Sequence, residues 1–520
     1  MGVPGLWPFL EGSKERIALA KLASDTYSFD NRSPRGFRVG IDTSIWLYQV
    51  RAGQGGQNPE LRTLYFRLCR LRYLGILPIF VLDGESRPFF KRRKKIQKAK
   101  FHIANMVRLI KLFGFPVWYA PGEAEAECAL LKKKSIIDAV ISEDVDCFIF
   151  GSELVIKDWG KDDEFKNTST HVSVYNMENI VKNTHISQAG MLLIALMSCG
   201  DYDSIGIPNC GIKTAIDAAK AGFGDSLLTL IKNGSDLTEW KNQLEISLRT
   251  NANGYFSTKH PSLKLPKDFP NQDIIKFYIN PITSSDLELR KKAAKIVWKW
   301  PIDVLALQEF VFMHFSWSGL PGIKKFILSL APCYLVSLLK QGDYKQHKKS
   351  SDFQDGDSME NTNSIYFTNV KEYLKNIKNK EAKDIGINIE CFRKHVSTDH
   401  SLEFRVSFYP FRLMDFDVDK YVQTLPDQML IEKEIQSKEP TEAQEEAIDF
   451  DRKISVWVLE PYLDALKKRE VHPWKNKTCK KTHTTKQLGK DQTGAIENYF
   501  KVSFKGSGGL KPLDTSPVVL

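Results

Sequence analysis

Residues 139–146, Ala139-Val140-Ile141-Ser142-Glu143-Asp144-Val145-Asp146, decide the fold class. A short apolar run leading into a carboxylate suits a strand buried on both faces. The same pattern stands twice upstream, in Val39-Gly40-Ile41-Asp42 and in Ile79-Phe80-Val81-Leu82-Asp83. The intervening stretches are long enough for crossover helices. Leu61 to Leu74 supplies one, with Leu64, Leu68 and Leu71 at helical spacing and basic residues between them. Strand and helix in alternation predict an α/β fold with a mostly parallel sheet. Ligands of such sheets bind beyond the carboxyl ends of the strands, so Asp42, Asp83 and Asp144 are expected to converge.

Further acids gather around these three. Asp146 follows Asp144 by two positions, which in extended chain points it the same way. Pro121 to Glu127 opens a helix on which Glu123 and Glu127 share a face; Glu125 joins them only if the first turn is irregular. Asp201, within Cys199-Gly200-Asp201-Tyr202-Asp203, is a seventh candidate. So many acids at one sheet edge resist ionising unless cations neutralise them. Mg²⁺ prefers oxygen ligands, and two ions about 4 Å apart can clamp an in-line phosphoryl displacement. Spacing alone does not separate a nuclease from a phosphatase.

The composition narrows the partners. With 520 residues, 42% hydrophobic and 26% charged, the chain is expected to fold into several domains. Wholesale disorder and a collagen-like repeat are excluded, and no uncharged apolar run approaches the roughly 18 residues of a membrane-spanning helix. The net charge of +11 favours an anionic partner, nucleic acid first. Eight cysteines without a CxxC pair argue against a zinc ribbon or a disulfide framework and for a reducing compartment. The opening residues lack a basic segment followed by an apolar one, so no secretory signal is expected.

Beyond about residue 186 the texture is helical, to about residue 345. The polar stretch Lys345 to Ser364 reads as a linker. Leu402, Phe404, Val406 and Phe408 then alternate as a strand. After the acidic stretch Glu432 to Asp451 come a strand ending at Val458 and a short helix after Pro461, together expected as a small barrel capped by a helix. Trp457, Tyr409 and Phe411 are the aromatics that could cage a methylated lysine, but core packing is the favoured reading.

Taken in order, Met1-Gly2-Val3-Pro4-Gly5-Leu6-Trp7, Gly40-Ile41-Asp42, Leu82-Asp83-Gly84, the ten residues from Gly122, the ten from Ser142 and Gly200 to Asp203 resemble the motifs of the flap-endonuclease/XPG superfamily of structure-specific nucleases. Within it the chain looks most like the fungal GEN/Yen-type Holliday junction resolvases. The resemblance implies a PIN/5′-nuclease-like core over 1–198 and a helical DNA clamp with a helix–two-turn–helix over 199–344. Composition marks a polar linker or insertion over 345–365 and a basic tail over 471–520, and the resemblance implies a chromodomain-like β module over 366–470. The family's metal ligands fall on Asp42, Asp83, Glu123, Glu125, Asp144, Asp146 and Asp201, which would hold two Mg²⁺ ions; here the family favours Glu125 over Glu127. The implied activity is Mg²⁺-dependent cleavage of branched DNA in the nucleus, with Holliday junctions preferred and a 5′ phosphate left on the product. Family behaviour implies a monomer that pairs on junctions. A 5′-flap endonuclease is the alternative of the same class. A catalytically silent DNA-binding scaffold is disfavoured by the complete set of acids. Asp83 and Glu123 stand 40 positions apart (123 − 83), short for an arch that threads a single strand and suited to an open, junction-accepting site.

The basic run Lys91-Arg92-Arg93-Lys94-Lys95, with Lys98 beyond it, follows Asp83 and is expected to touch phosphates. The resemblance gives Lys91 the role of steadying the scissile phosphate, with Lys98 nearest to the family's following arginine. Gly206 to Ala215 reads as a Gly/Pro hairpin running into a helix. Gly206, Gly211 and Lys213 could take a duplex backbone there, and the resemblance adds a K⁺ ion. Asn209 stands where the family has a glycine, and asparagine also accepts left-handed backbone. Near the C-terminus Ile496, Tyr499 and Phe500 resemble the sliding-clamp box of flap endonucleases, an apolar plug on one helical turn.

Overall fold

The computed structural model describes residues 2–29, 35–44, 46, 57–88, 99–159, 170–298, 301–341, 386–414 and 452–463. The segment Lys91 to Lys98, the linker, the acidic stretch and the tail with Ile496, Tyr499 and Phe500 lie outside these residues.

Seven strands form the main sheet: β1 (Lys14–Ala18), β2 (Arg38–Asp42), β3 (Leu77–Leu82), β4 (Val117–Tyr119), β5 (Ala139–Ile141), β6 (Leu154–Lys157) and β7 (His171–Asn176). Their spatial order is β1-β7-β6-β5-β2-β3-β4. The pairs from β6 through to β4 are parallel, while β7 pairs antiparallel with both β6 and β1. The central strands carry Val39, Ile41, Ile79, Val81 and Val140 at or near zero exposure, as strands covered on both faces should. The chain winds one way from β2 to β4 and the other way from β5. The topological switch therefore falls between β2 and β5, where Ile41 pairs with Ile141.

Eight helices matter for the site and its support: α1 (Pro59–Tyr73), α2 (Ala99–Leu112), α3 (Ala124–Lys133), α4 (Asp146–Ile149), α5 (Gln188–Met197), α6 (Ile212–Lys220), α7 (Gln272–Ile279) and α8 (Gly319–Gln341). Proline at the first position of α1 and Asn58 in left-handed backbone before it set where that helix begins. Its leucines are buried as the periodicity predicts, but so are Arg67, Arg70 and Arg72. The Arg67 guanidinium lies over the rings of Trp46 and Trp159. Arg72 lies over Phe115 and donates to the Phe113 carbonyl at 2.9 Å. A planar, weakly hydrated cation can be buried where aromatic faces and carbonyls replace its water. Desolvation lowers both guanidinium pKa values to about 10.

Helix α8 contains a stretch, Pro321–Lys340, long and apolar enough by composition to cross a bilayer. Most of it is buried, packed on α1 in the core behind the sheet.

The C-terminal module is a three-stranded antiparallel sheet, β10 (Ile454–Leu459), β9 (Leu402–Phe408) and β8 (Asn388–Lys394), rather than the expected barrel. Strand β9 matches its expected bounds; β8 carries no clear alternation in sequence and was not anticipated. The segment after Pro461 is described only as a 3₁₀ turn, Glu460–Leu463. Among the described residues the module shares its core with the nuclease: Phe404, Val406, Phe408, Val456, Val458 and Tyr462 join the same apolar cluster as α1 and α8. Polar contacts fasten the seam. The Tyr462 hydroxyl donates to the Leu74 carbonyl at 2.7 Å, and Lys340 Nζ, itself bonded to the Gly75 carbonyl at 2.6 Å, lies over the Tyr462 ring at 4.8 Å. Asp399 accepts from the Ala18 amide at 2.6 Å and meets His171 Nε2 at 2.9 Å.

Among the described residues of this module, Trp457, Tyr409 and Phe411 do not form an aromatic cage. Phe411 is core, Arg393 covers the Trp457 ring at 4.0 Å, and Arg412 covers Tyr409 at 4.4 Å. Six described cysteines are free thiols, which agrees with the expected lack of a disulfide framework, whereas Cys391 on β8 is disulfide-bonded, which a reducing compartment alone does not predict.

Candidate active site

Glu123, Asp83, Asp42 and Asp144 stand at or just beyond the carboxyl ends of β4, β3, β2 and β5, which are spatial neighbours in that order. A string of hydrogen bonds links them. The Asp146 amide donates to Asp144 Oδ1 at 3.0 Å, and the Asp144 amide bonds to Ser142 Oγ at 3.1 Å. Ser142 Oγ donates in turn to Asp42 Oδ2 at 3.4 Å. Asp42 Oδ1 accepts from the Ser44 amide at 3.0 Å, and Ser44 Oγ donates to Asp83 Oδ2 at 2.9 Å. Asp83 also accepts from Arg87 at 2.8 Å and from the Ala124 amide at 3.0 Å, directly beside Glu123. The Tyr202 hydroxyl donates to Glu123 Oε2, which brings the turn bearing Asp201 to the same edge.

Two local expectations need correcting. Asp144 and Asp146 are not an extended pair: Asp146 opens α4, and the turn folds its amide back on Asp144. Glu123 is not helical either. It is the N-cap of α3 in extended backbone (φ −87°, ψ 139°), so counting helix faces from Glu123 misassigns its neighbours. Glu127 points away from the acids, accepting from the Trp118 indole at 2.7 Å and from the Ser284 amide at 2.8 Å. Glu125 lies within electrostatic reach of Asp42.

Asp42 feels the crowding most. Burial, followed by the charges of Glu125, Asp83 and Asp144, pushes its carboxyl well above the ordinary range. The same surroundings, burial first, raise the thiols of Cys128 and Cys147. Among the described residues, no three His, Cys, Asp or Glu side chains close tightly enough to grip an ion directly. Carboxylates of like charge repel, and Mg²⁺ keeps much of its shell as water. An open rim of oxygen donors therefore fits that ion better than a closed cage would.

Sequence reasoning missed Ser44, Ser142, Arg87 and Tyr202, and also Gly2. Gly2 has φ +75°, and a side chain there would overlap the carboxylates of Asp144 and Asp146. Only glycine lets the backbone lie against both acids.

The hairpin before α6 takes the expected shape. Asn209 has φ 63°, in the left-handed region. Gly211 caps α6 with φ −78°, and a Cβ there would meet nothing within 4 Å, so the chain itself gives no reason for glycine at this position. Lys213 is exposed beside it.

Comparison with known proteins agrees with this architecture. The XPG N-terminal domain matches residues 1–103, the XPG I-region matches 114–201, and the Holliday junction resolvase Gen1 C-terminal domain matches 387–477. Flap endonuclease GEN-like 1 of Arabidopsis thaliana is 30% identical over 227 residues, 38% of this chain and 37% of that protein. Flap endonuclease GEN homolog 1 of Homo sapiens is 27% identical over 251 residues, 44% of this chain and 26% of its own length. These curated relatives are thus matched over well under half their length. A crystal structure of the Holliday junction-resolving enzyme GEN1 with product DNA and Mg²⁺ superposes with a TM-score of 0.68 at 36% identity, covering 89% of this chain and 96% of the other. A junction-resolving GEN-1 structure with potassium gives 0.67 at 35% identity over the same shares. With that coverage, and with its acids set at the strand ends of this fold, the chain belongs to the flap-endonuclease/XPG superfamily, in its GEN branch.

Proposed function

We propose that this protein is a Mg²⁺-dependent, structure-selective endonuclease that hydrolyses phosphodiesters in branched DNA, with four-way junctions as the preferred substrate. One observation carries the reading: four neighbouring parallel strands deliver Glu123, Asp83, Asp42 and Asp144 to one edge, where Asp42 resists ionising among them. Asp42, Asp83, Glu123, Glu125, Asp144, Asp146 and Asp201 are the residues that would hold two Mg²⁺ ions. Such a pair, when bound, supplies Lewis acidity and lowers the pKa of its water. The chain's own residues do the positioning. Ser44 and Ser142 orient Asp83 and Asp42, and the Arg87 guanidinium balances the charge of Asp83. Gly211 and Lys213 leave an open, positive approach at the start of α6 for a duplex backbone, with a K⁺ ion at the same hairpin. Lys91, with Arg92, Arg93 and Lys98, would steady the phosphate beside the scissile bond.

The expected behaviour is paired cutting on junctions, consistent with the short interval between Asp83 and Glu123, and with work in the nucleus. Purified full-length protein with Mg²⁺ is offered a supercoiled cruciform plasmid, a 5′ flap and plain duplex. Linear product from the plasmid supports paired cutting, whereas accumulating nicked circles means independent molecules. Cleavage of the flap alone moves the protein to the flap-endonuclease reading, and inertness on every branched substrate overturns the reading.

A tether to a sliding clamp belongs to the same proposal. Ile496, Tyr499 and Phe500 have the spacing of an apolar plug on one helical turn. Calorimetry of a tail peptide with the clamp is expected to show binding that disappears with Tyr499→Ala and Phe500→Ala. Silence at high micromolar peptide removes the tether.

A further inference from the structure

We infer that Tyr202 is a positioning residue: from the turn that leads into the DNA-clamp hairpin, its hydroxyl sets the orientation of Glu123 for metal. The inference rests on the endonuclease reading above.

The hydroxyl donates to Glu123 Oε2, and both residues are buried, at 7% and 3% exposure. Fixing one carboxylate oxygen fixes the plane of the group, so the other oxygen is presented at a set angle. The ring cannot swing away. It stacks on Phe277 at 5.4 Å and takes the edge of Tyr278 at 4.7 Å, both from α7. That closeness depends on Gly200, where a Cβ would stand 2.5 Å from the Tyr278 hydroxyl.

The turn beneath the ring is itself tied down. The Gly200 amide donates to the Asp203 carbonyl at 2.7 Å. Asp203 Oδ1 accepts from the amides of Ile205 at 2.9 Å and Gly206 at 3.1 Å. The Ile207 amide then reaches the Met197 carbonyl at 2.9 Å, closing the loop onto the end of α5. From Gly206 the chain continues through Asn209 to Gly211 and Lys213. Glu123 is therefore oriented from the clamp side of the molecule and not only from its own strand and helix.

Groups that hold a metal ligand from behind commonly change metal affinity 10- to 100-fold when removed. Tyr202→Phe keeps both ring contacts and loses only the O–H donor. Mn²⁺ binding to the DNA-free, full-length protein, read from the electron paramagnetic resonance signal of the free ion, is expected to weaken about tenfold. The Mg²⁺ concentration for half-maximal junction cleavage should rise by the same factor, with melting temperature and junction Kd unchanged. Tyr202→Leu, which also removes the ring, should lower the melting temperature as well. Wild-type metal affinity in the Phe variant overturns the inference, and so does a melting temperature that falls together with its affinity. If the wild type cuts no branched DNA, the endonuclease reading fails by itself, while the Mn²⁺ titration still decides the role of Tyr202.

Discussion

Asp144→Asn is expected to abolish junction cleavage, by on the order of a thousandfold or more, while junction binding stays within about twofold of wild type. The substitution conserves shape and removes one charge from the rim. It leaves untouched Lys213 and the other cations that would neutralise phosphates. Asp144 also accepts the Asp146 amide through Oδ1. An asparagine can keep that bond with its own carbonyl oxygen, so the local turn should survive. Glu123→Gln tests the opposite end of the row and should behave alike. Single-turnover cleavage and gel-shift binding on the same junction check the pair. Near-normal nicking by both variants would sink the assignment of the acidic rim.

The second large effect concerns Asp42, where activity and stability are expected to move in opposite directions. Its folded-state pKa is raised by burial and by Glu125, Asp83 and Asp144. An acid raised above its unfolded value of about 3.9 contributes its full stability below that pH. The contribution is lost as pH rises from there through the raised pKa. Metal-free protein should thus lose stability through this group as pH rises above about 4, and Mg²⁺ should restore it. Asp42→Asn removes the penalty. In chelator at pH 7.5 its melting temperature should exceed that of wild type, by about 2 °C or less for each kcal/mol relieved in a cooperative unit this large. It should cut nothing. Thermal melts of both proteins across pH, with and without Mg²⁺, make the comparison. Identical pH slopes would show that Asp42 ionises freely in the fold.

How much of this was open to inspection in the chain alone depends on the kind of signal. The strands ending at Asp42, Asp83 and Asp144 announce themselves because an apolar run buried on both faces needs no alternation, only a carboxylate where it stops. Their convergence follows from parallel winding. Ser44, Ser142 and Tyr202 carry no such mark. Hydroxyl residues occur in every surface loop, and only the fold brings Ser44 to Asp83 and Tyr202 to Glu123. Gly2 lies far along the chain from Asp144 and Asp146, so nothing local hints that its missing side chain makes room for them. Glu127 misled for a different reason. Helical periodicity applies only inside the helix, and Glu123 is the extended residue before it. The buried arginines of α1 show the same limit, since a guanidinium between tryptophans reads in sequence as a solvated charge.

The seam between the C-terminal sheet and the nuclease has a consequence for how this protein could have been assembled and how it can be cut. A reader domain joined by a flexible tether can be swapped, duplicated or lost without harm to its neighbour. Here Tyr462 reaches Leu74, Lys340 of α8 lies over the Tyr462 ring and Asp399 reaches Ala18 across a continuous apolar cluster. Trimming the chain before residue 386 would leave the backs of α1 and α8 greasy and wet, and a shortened enzyme would clump before it could be assayed. The sheet works as masonry that carries the wall behind the catalytic edge, so a change on one side of the seam is felt on the other.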